Sequence, residues 1–521
     1  MRHETLLLEI GTEELPPKSL LALKTAFAEN LKKALDARQF NYGDVAAFAT
    51  PRRLAVIVTA CEDVQPEQLI QRKGPKLSAA FDSDGQPTKA LNGFLKSCGI
   101  TDPNLLEQEE TEKGAWVLYR STQAGATLSS EIQGMLIEAT ATLPIAKRMR
   151  WQRYRTEFVR PVRWLVALYG KDILDCQFHG RTAGAITYGH RAMSADDPIT
   201  LSHADQYEAK LEAGFVIADF EKRQALINEQ LNAAASARSA IAADDPGLLE
   251  EVTALTEWPH VLSGDFDPKF LAVPEEALIS AMREHQRYFH LRDAAGQLQP
   301  SFLTVANLDS LQPEQVIAGN ERVIRPRLAD AQFFYNKDLQ KPLEDALGQL
   351  NQVVFQNELG SFGDKARRIS ALAGIIAKSL GTNEAEAARA GLLAKTDLVS
   401  LMVGEFPELQ GIMGSYYAKA QGESSVIADS ILGHYLPRFS GDELPSSMTA
   451  CAVAIADRID TLVGLFGIGQ PPTGSKDPFA LRRQSLAVVR ICIEAPIDLD
   501  LMALLRASAR LHTAECETAP V

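Results

Sequence analysis

Cysteine and histidine are scarce in this 521-residue chain, with 6 and 9 in all. The cysteines (Cys61, Cys98, Cys176, Cys451, Cys492, Cys516) form no C-x-x-C pair, which excludes a zinc ribbon and a disulfide framework and leaves core or surface thiols. No apolar run approaches the ~20 residues of a membrane span. Leu6-Leu7-Leu8 is interrupted at once by Glu9, Glu13 and Glu14, so it is no signal peptide, and a cytoplasmic location without membrane contact is expected. Positive charge is in deficit: the net charge of -14 excludes a protein that coats nucleic acid indiscriminately, so any RNA contact must be local. A phosphate loop is missing too. Gly469 and Gly474 have its spacing, but Ser475 precedes Lys476, Pro471 and Pro472 each lack a backbone donor, and Val453 to Phe466 upstream reads as helix, not strand.

What is present is enough apolar material, 46% of residues, for large cores and about three domains. Thr5 to Ile10 reads as a buried strand, Leu20, Leu23, Phe27, Leu31 and Leu35 as the apolar stripe of a helix opening at Pro16-Pro17, and Arg53 to Thr59 as a second strand. Strands and helices keep mixing over 1–200, an α+β region, and over 201–345, a mixed α/β region whose Ala-rich helix near 226–242 breaks at Asp244-Asp245-Pro246-Gly247. From 346 to 496 strand signals vanish and apolar helices recur, one of them carrying Ile369, Leu372, Ile376 and Leu380 up to Gly381. Residues 497–521 read as one amphipathic helix and a polar tail. The fold class expected is therefore α+β multidomain with an all-α third unit.

Chemistry concentrates in a few places. Lys147, Arg148, Arg150, Arg153, Arg155, Arg160 and Arg163 face one acid, Glu157, and interleave with Trp151, Tyr154, Phe158 and Trp164. Arginine forks match phosphates and aromatic rings stack on unpaired bases, so the segment suits an RNA end; a basic interface with an acidic partner, or arginines lying over core aromatics, needs the same residues. The segment Gly467 to Arg483 is a rigid Pro/Gly connection into a helix, with Asp477 as N-cap, Pro478 at the first helical position, and Lys476, Arg482 and Arg483 as further candidate RNA contacts. His190-Arg191 and His285-Gln286-Arg287 lack a nucleophile motif and read as structural histidines. The helix around Gly319 to Arg327 reads as a contact helix in which Glu321 and Asp330 pair with nearby arginines and Pro326 kinks or restarts it.

Leu6 to Pro16 and Gly467 to Arg483 together closely resemble the β subunit of bacterial heterotetrameric glycyl-tRNA synthetase. Leu143 to Trp151, Phe158 to Trp164, Gly319 to Val323 and Glu405 to Gly411 extend the resemblance, in order, over essentially the whole chain; the family continues beyond position 521 into an anticodon-binding helical domain. The resemblance implies a subunit of a glycine–tRNA ligase that binds tRNA(Gly) and an α subunit in an α2β2 tetramer. ATP and Mg would be used at the α subunit, leaving no cofactor and no catalytic residue in this chain. The all-α unit resembles the HD phosphohydrolase fold with its metal site degenerate: the His-Asp pair falls at Lys395-Thr396-Asp397, Asp457 and Asp460 share a helix side, and His434 is the region's only histidine. Alternatives from other classes are an HD-type metal-dependent phosphohydrolase and a purely structural assembly subunit.

Overall fold

The computed structural model describes residues 2–82, 85–111, 114–151, 156–194 and 198–512. The strand His3–Thr12 runs through the middle of a five-stranded antiparallel sheet ordered Asp172–Ile173, Val162–Tyr169, His3–Thr12, Arg53–Glu62, Val45–Thr50. It is covered on both faces, which is why it reads as a continuous apolar run. Leu6, Leu8 and Ile10 pack with Phe27 and Leu31 of the helix Pro17–Ala37 and with Ile132 and Leu136 of the helix Leu128–Ala141. Leu7 points to the other face, among Phe48, Trp164, Val166 and Tyr207. Two positions further along that second face stands Glu9, fully buried. A three-stranded sheet of Gln68–Lys76, Gly114–Gln123 and Leu106–Thr111 has a small core of its own with the helix Lys89–Cys98.

The chain forms two compact units, not divisions at 200 and 345. Met1–Arg238, Asp244–Leu262 and Leu303–Pro313 make the first; Ser239–Ala243, Ser263–Phe302 and Glu314–Val521 make the second. The expected middle region is shared out because its apolar residues go to different cores. Phe220 and Ala254 sit in the core of the first unit, while Phe266 to Phe302 join the large helical core of the second. In that second unit the helix Met448–Gly467 is buried continuously from Thr449 to Ala456 and is flanked by Phe362–Ser379, Glu384–Leu393, Ser425–Gly433, Leu481–Glu494 and Leu501–Leu511. A short hairpin of Val354–Gln356 and Gly360–Ser361 interrupts the otherwise helical region.

Several local expectations are corrected. Val45–Thr50 is a strand, so Arg53–Glu62 is the third, not the second. The Ala-rich helix spans Phe220–Ala237 rather than 226–242; it stops before Asp244, and Asp245 then accepts from Leu248 N and starts a further helix, Pro246–Leu255. Pro326 lies within one 26-residue helix, Pro313–Asp338, and Glu321 accepts from the backbone N–H of Asp265 while Arg327 reaches Glu405 at 3.8 Å. The last helix of the sequence motif begins at Leu481. Residues 477–480 form a turn in which Ala480 takes φ +53°, yet the Asp477 carboxylate still accepts from Leu481 N and Arg482 N.

Candidate functional site

Two stretches of the sequence signature, Leu6 to Pro16 and Phe158 to Trp164, meet at one end of the five-stranded sheet, together with Pro51-Arg52. Thr12 N donates to Arg52 O at 2.8 Å, Glu13 N to Pro161 O at 2.9 Å and Leu15 N to Pro51 O at 2.6 Å, tying the segment after the first strand to two other loops. Beneath them lies a buried ionic network. Glu9 accepts from Trp164 Nε1, from Thr187 Oγ1 at 2.7 Å and from Tyr207 OH at 2.5 Å. Arg53, fully buried, donates to Tyr188 O at 2.9 Å, Thr50 Oγ1 at 3.1 Å and Glu257 Oε1 at 3.2 Å, with Glu9 3.9 Å away. At the rim, Glu13 pairs with Arg163 (3.2 Å) and Arg191 (3.0 Å). His190 is buried and accepts at Nδ1 from Ala192 N and Met193 N, a structural use of its lone pair.

The basic segment is divided in its roles. Lys147, Arg148 and Arg150 are exposed, and Arg153 and Arg155 lie outside the described residues. Arg150 forms an ion pair with Glu157, its cross-strand neighbour in a two-residue ladder. Trp151 is half-buried, edge-on to the His179 ring at 5.6 Å. Burial first, and then the Arg148 charge, lower the pKa of His179. Arg160 donates to Val159 O, and Arg163 is held by Glu13. Among the described residues, Lys147, Arg148 and Arg160 have no carboxylate partner.

In the second unit the polar residues of the helical region converge on a cavity of about 360 Å³. Its floor is built by the helix Met448–Gly467, which has an acid at 457 and at 460 within an apolar run. Each acid is met by buried lysine or arginine. Lys365 Nζ lies 2.9 Å from Asp457 Oδ1 and 3.0 Å from Asp460 Oδ2, and Lys395 Nζ 2.8 Å from Asp457 Oδ2. Arg368 and His512 hold the other side of Asp460 at 2.6 and 3.3 Å. Burial alone would raise the pKa of Asp457, but Lys365 and Lys395 hold it well below the ordinary carboxylate range. His434 Nδ1 faces Ile431 O, which makes it the N–H donor, so Nε2 accepts from Lys395 at 2.8 Å. Burial, reinforced by Lys395, keeps that ring neutral.

A divalent metal does not fit this donor set. The His434 lone pair and both Asp457 oxygens are taken by lysine ammonium groups, and Asp397 uses Oδ2 to accept from Gly411 N (2.5 Å) and Gly414 N (3.0 Å). Among the described residues no group of three or more His, Cys, Asp or Glu side chains is placed to hold a metal ion. Lys365, Arg458 and His512 escape a reading of the sequence alone. The available signal is the Asp457/Asp460 pair within an apolar helix, since two buried carboxylates require buried cations. The loop of the signature reaches the same place: Phe479, Arg483 and Gln484 line the cavity, while Lys476, Arg482 and Arg483 are exposed.

No helix among the described residues is long and apolar enough to cross a membrane. Comparison with known proteins matches residues 6–519 to the family described as glycyl-tRNA synthetase beta subunit. The glycine–tRNA ligase beta subunit of Hahella chejuensis is 49% identical over 98% of this chain and 74% of its own length. That of Pseudoalteromonas atlantica is 50% identical over 98% and 73%, and that of Erwinia tasmaniensis 46% over 100% and 75%. A solved structure, the HD domain of the L. monocytogenes phosphodiesterase PgpH in complex with cyclic-di-AMP, covers 33% of this chain and 93% of its own at 12% identity, with a TM-score of 0.21, too low to show a shared fold. Nearly half of the residues are shared, in register, from one end of the match to the other, so this chain belongs to the glycyl-tRNA synthetase beta subunit family.

Proposed function

We propose that this chain acts as the β subunit of a cytoplasmic glycine–tRNA ligase, binding tRNA(Gly) and an α subunit in an α2β2 tetramer. The observation that carries the reading is the family match over residues 6–519, with relatives at 49–50% identity named glycine–tRNA ligase beta subunit. Glycine and ATP, with Mg, form glycyl-adenylate at the α subunit in this reading, and this chain supplies no cofactor site. Its contribution is to hold the RNA so that the acceptor end reaches the adenylate, a positioning effect on rate. Lys147, Arg148 and Arg160 in the first unit and Lys476, Arg482 and Arg483 in the second are the RNA contacts proposed, since among the described residues none of them is paired to a carboxylate.

The test is pyrophosphate exchange. The pure chain with glycine and ATP is expected to give none, and addition of the α subunit to give exchange and glycylation of tRNA. Appreciable exchange by the pure chain would move the chemistry here and overturn the division of labour.

A further inference from the structure

The cavity of the second unit is left without a role by the reading above. Its floor holds the buried ammonium groups of Lys365 and Lys395, and its wall the guanidinium of Arg458, which donates to the carbonyls of His434, Ala454, Tyr435 and Pro437 and so keeps its charge uncancelled by direct contact with an acid. Arg438 and Arg483 line it as well. Counting the lining and the groups bonded directly to it, six cations (Lys365, Arg368, Lys395, Arg438, Arg458, Arg483) face three carboxylates (Asp442, Asp457, Asp460). A local excess of three positive charges in a chain of net charge -14 needs a reason. The remaining walls are aromatic: Phe355, Phe362, Tyr435 and Phe479. Lys365 Nζ stands 4.7 Å from the Phe355 ring centre and Lys395 Nζ 4.1 Å from that of Tyr435. The ring of Tyr435 lines the cavity, while its hydroxyl is buried away from it and makes no hydrogen bond among the described residues.

From the lysines that take up the acids, the surplus arginine charge and the aromatic walls, we infer that this cavity binds a nucleoside monophosphate without a metal ion, either free or as the terminal nucleotide of an RNA. The volume of about 360 Å³ accommodates one base, sugar and phosphate, which a phosphate ion alone would leave mostly unfilled. Arginine donors suit the phosphate oxygens, and aromatic faces suit the base. Metal is dispensable because the charge that a divalent ion would bring is already supplied by Lys365 and Lys395. The inference does not rest on the tRNA reading, whose own test, pyrophosphate exchange with and without the α subunit, can fail or succeed independently.

The experiment is a calorimetric titration of the full chain with adenosine 5′-monophosphate in EDTA, with adenosine and inorganic phosphate as comparisons. Saturable binding of the monophosphate is expected, with adenosine and phosphate each weaker by roughly tenfold or more. Arg483→Glu, at an exposed position, should weaken binding by at least about tenfold while leaving the thermal unfolding midpoint unchanged. Phe479→Ala is the second variant and should weaken the monophosphate but not inorganic phosphate. Displacement of the monophosphate by a short single-stranded RNA identifies an RNA end as the source, and lack of displacement a free nucleotide; both uphold the site. No saturable binding in the millimolar range, binding that requires Mg, or equal binding by the folded Arg483→Glu variant would overturn it.

Discussion

A glutamate in the centre of a sheet is costly unless every oxygen is answered, and Glu9 is answered by an indole, a phenol and a threonine hydroxyl, with Arg53 close by. Burial comes first and the neighbouring Glu9 second among the causes that push the Tyr207 hydroxyl well above its ordinary pKa, so the phenol remains a donor at any working pH. Removing the carboxylate strands all of those donors. Glu9→Ala is therefore expected to cost about 3–5 kcal/mol in urea unfolding, and Glu9→Gln less, since it keeps one acceptor; a loss under about 1 kcal/mol for the alanine variant would contradict the network's role. Asp397 is the opposite case, a carboxyl raised to about 6 chiefly by burial, with Oδ1 unpartnered. Between its ordinary 3.8 and about 6 the folded state holds a proton that the unfolded chain releases. The resulting stability is full below about pH 4 and is lost as pH rises through about 6. Asp397→Asn should abolish that slope and, at pH 7, leave the protein as stable or more stable by up to about 3 kcal/mol, less whatever the unpartnered amide N–H takes back. Unfolding midpoints of both proteins at pH 4, 6 and 8 check it through the difference between parent and variant, and a difference that stays constant across that range contradicts it. The environment of Glu9 is not legible from composition: Glu9 first interrupts an apolar run and reads only as evidence against a signal peptide, because the answering side chains come from residues more than 150 positions away.

Elements are legible where periodicity is strong and one core claims the whole face. The helix Pro17–Ala37 and the helix Met448–Gly467 lie where their apolar spacing puts them. Val45–Thr50 is hidden because alanines at 46, 47 and 49 carry little β signal; its place comes from pairing with Arg53–Glu62, with Ala47 opposite Val56. The helix after Asp477 starts three residues later than its sequence suggests because the acid caps at a distance, across a turn closed by Ala480 in the left-handed region. Pro326 ends nothing, since Leu328 and Ala331 on the far side remain buried in the same core as Ile324. The strand His3–Thr12 also shows why its glycine is required. A Cβ on Gly11 would stand 1.9 Å from two ring carbons of Trp164, its cross-strand neighbour, whose indole in turn bonds Glu9. Gly11→Ala must displace the indole or the strand and is expected to destabilise by about 1–3 kcal/mol or more, accompanied by a shift in tryptophan fluorescence. An unchanged emission spectrum and midpoint would mean that the strand end yields freely.

At the scale of the whole molecule the sequence conveys the α+β character and the all-helical later half, but not the division into two units, because chain order hides that Phe220 and Ala254 share a core with residues of the first strand. It also presents the basic segment as one object, whereas ion pairing separates it. Arg150 answers Glu157 and Arg163 answers Glu13, so their charge is spent within the fold; Lys147, Arg148 and Arg160 are the described members that still carry net charge outward. On a chain of net charge -14, counterion release by RNA binding must come from such local groups. Changing Lys147, Arg148 and Arg160 together to Ala is expected to lower the slope of log affinity for tRNA against log salt by up to about 0.7–0.9 for each phosphate that is no longer neutralised. Arg150→Ala and Arg163→Ala should move the slope less, since each of these arginines is already paired with a carboxylate, and Glu13 keeps Arg191 when Arg163 is removed. The three readings of the segment then separate by instrument. A role in RNA binding shows in the salt slope, a role in packing in thermal unfolding, and a role in a subunit interface in association with the α subunit while tRNA affinity of this chain stays put. A well-folded triple variant with an unchanged salt slope would take these residues out of the RNA site and leave Arg153 and Arg155, outside the described residues, and Lys476, Arg482 and Arg483 of the second unit as candidates.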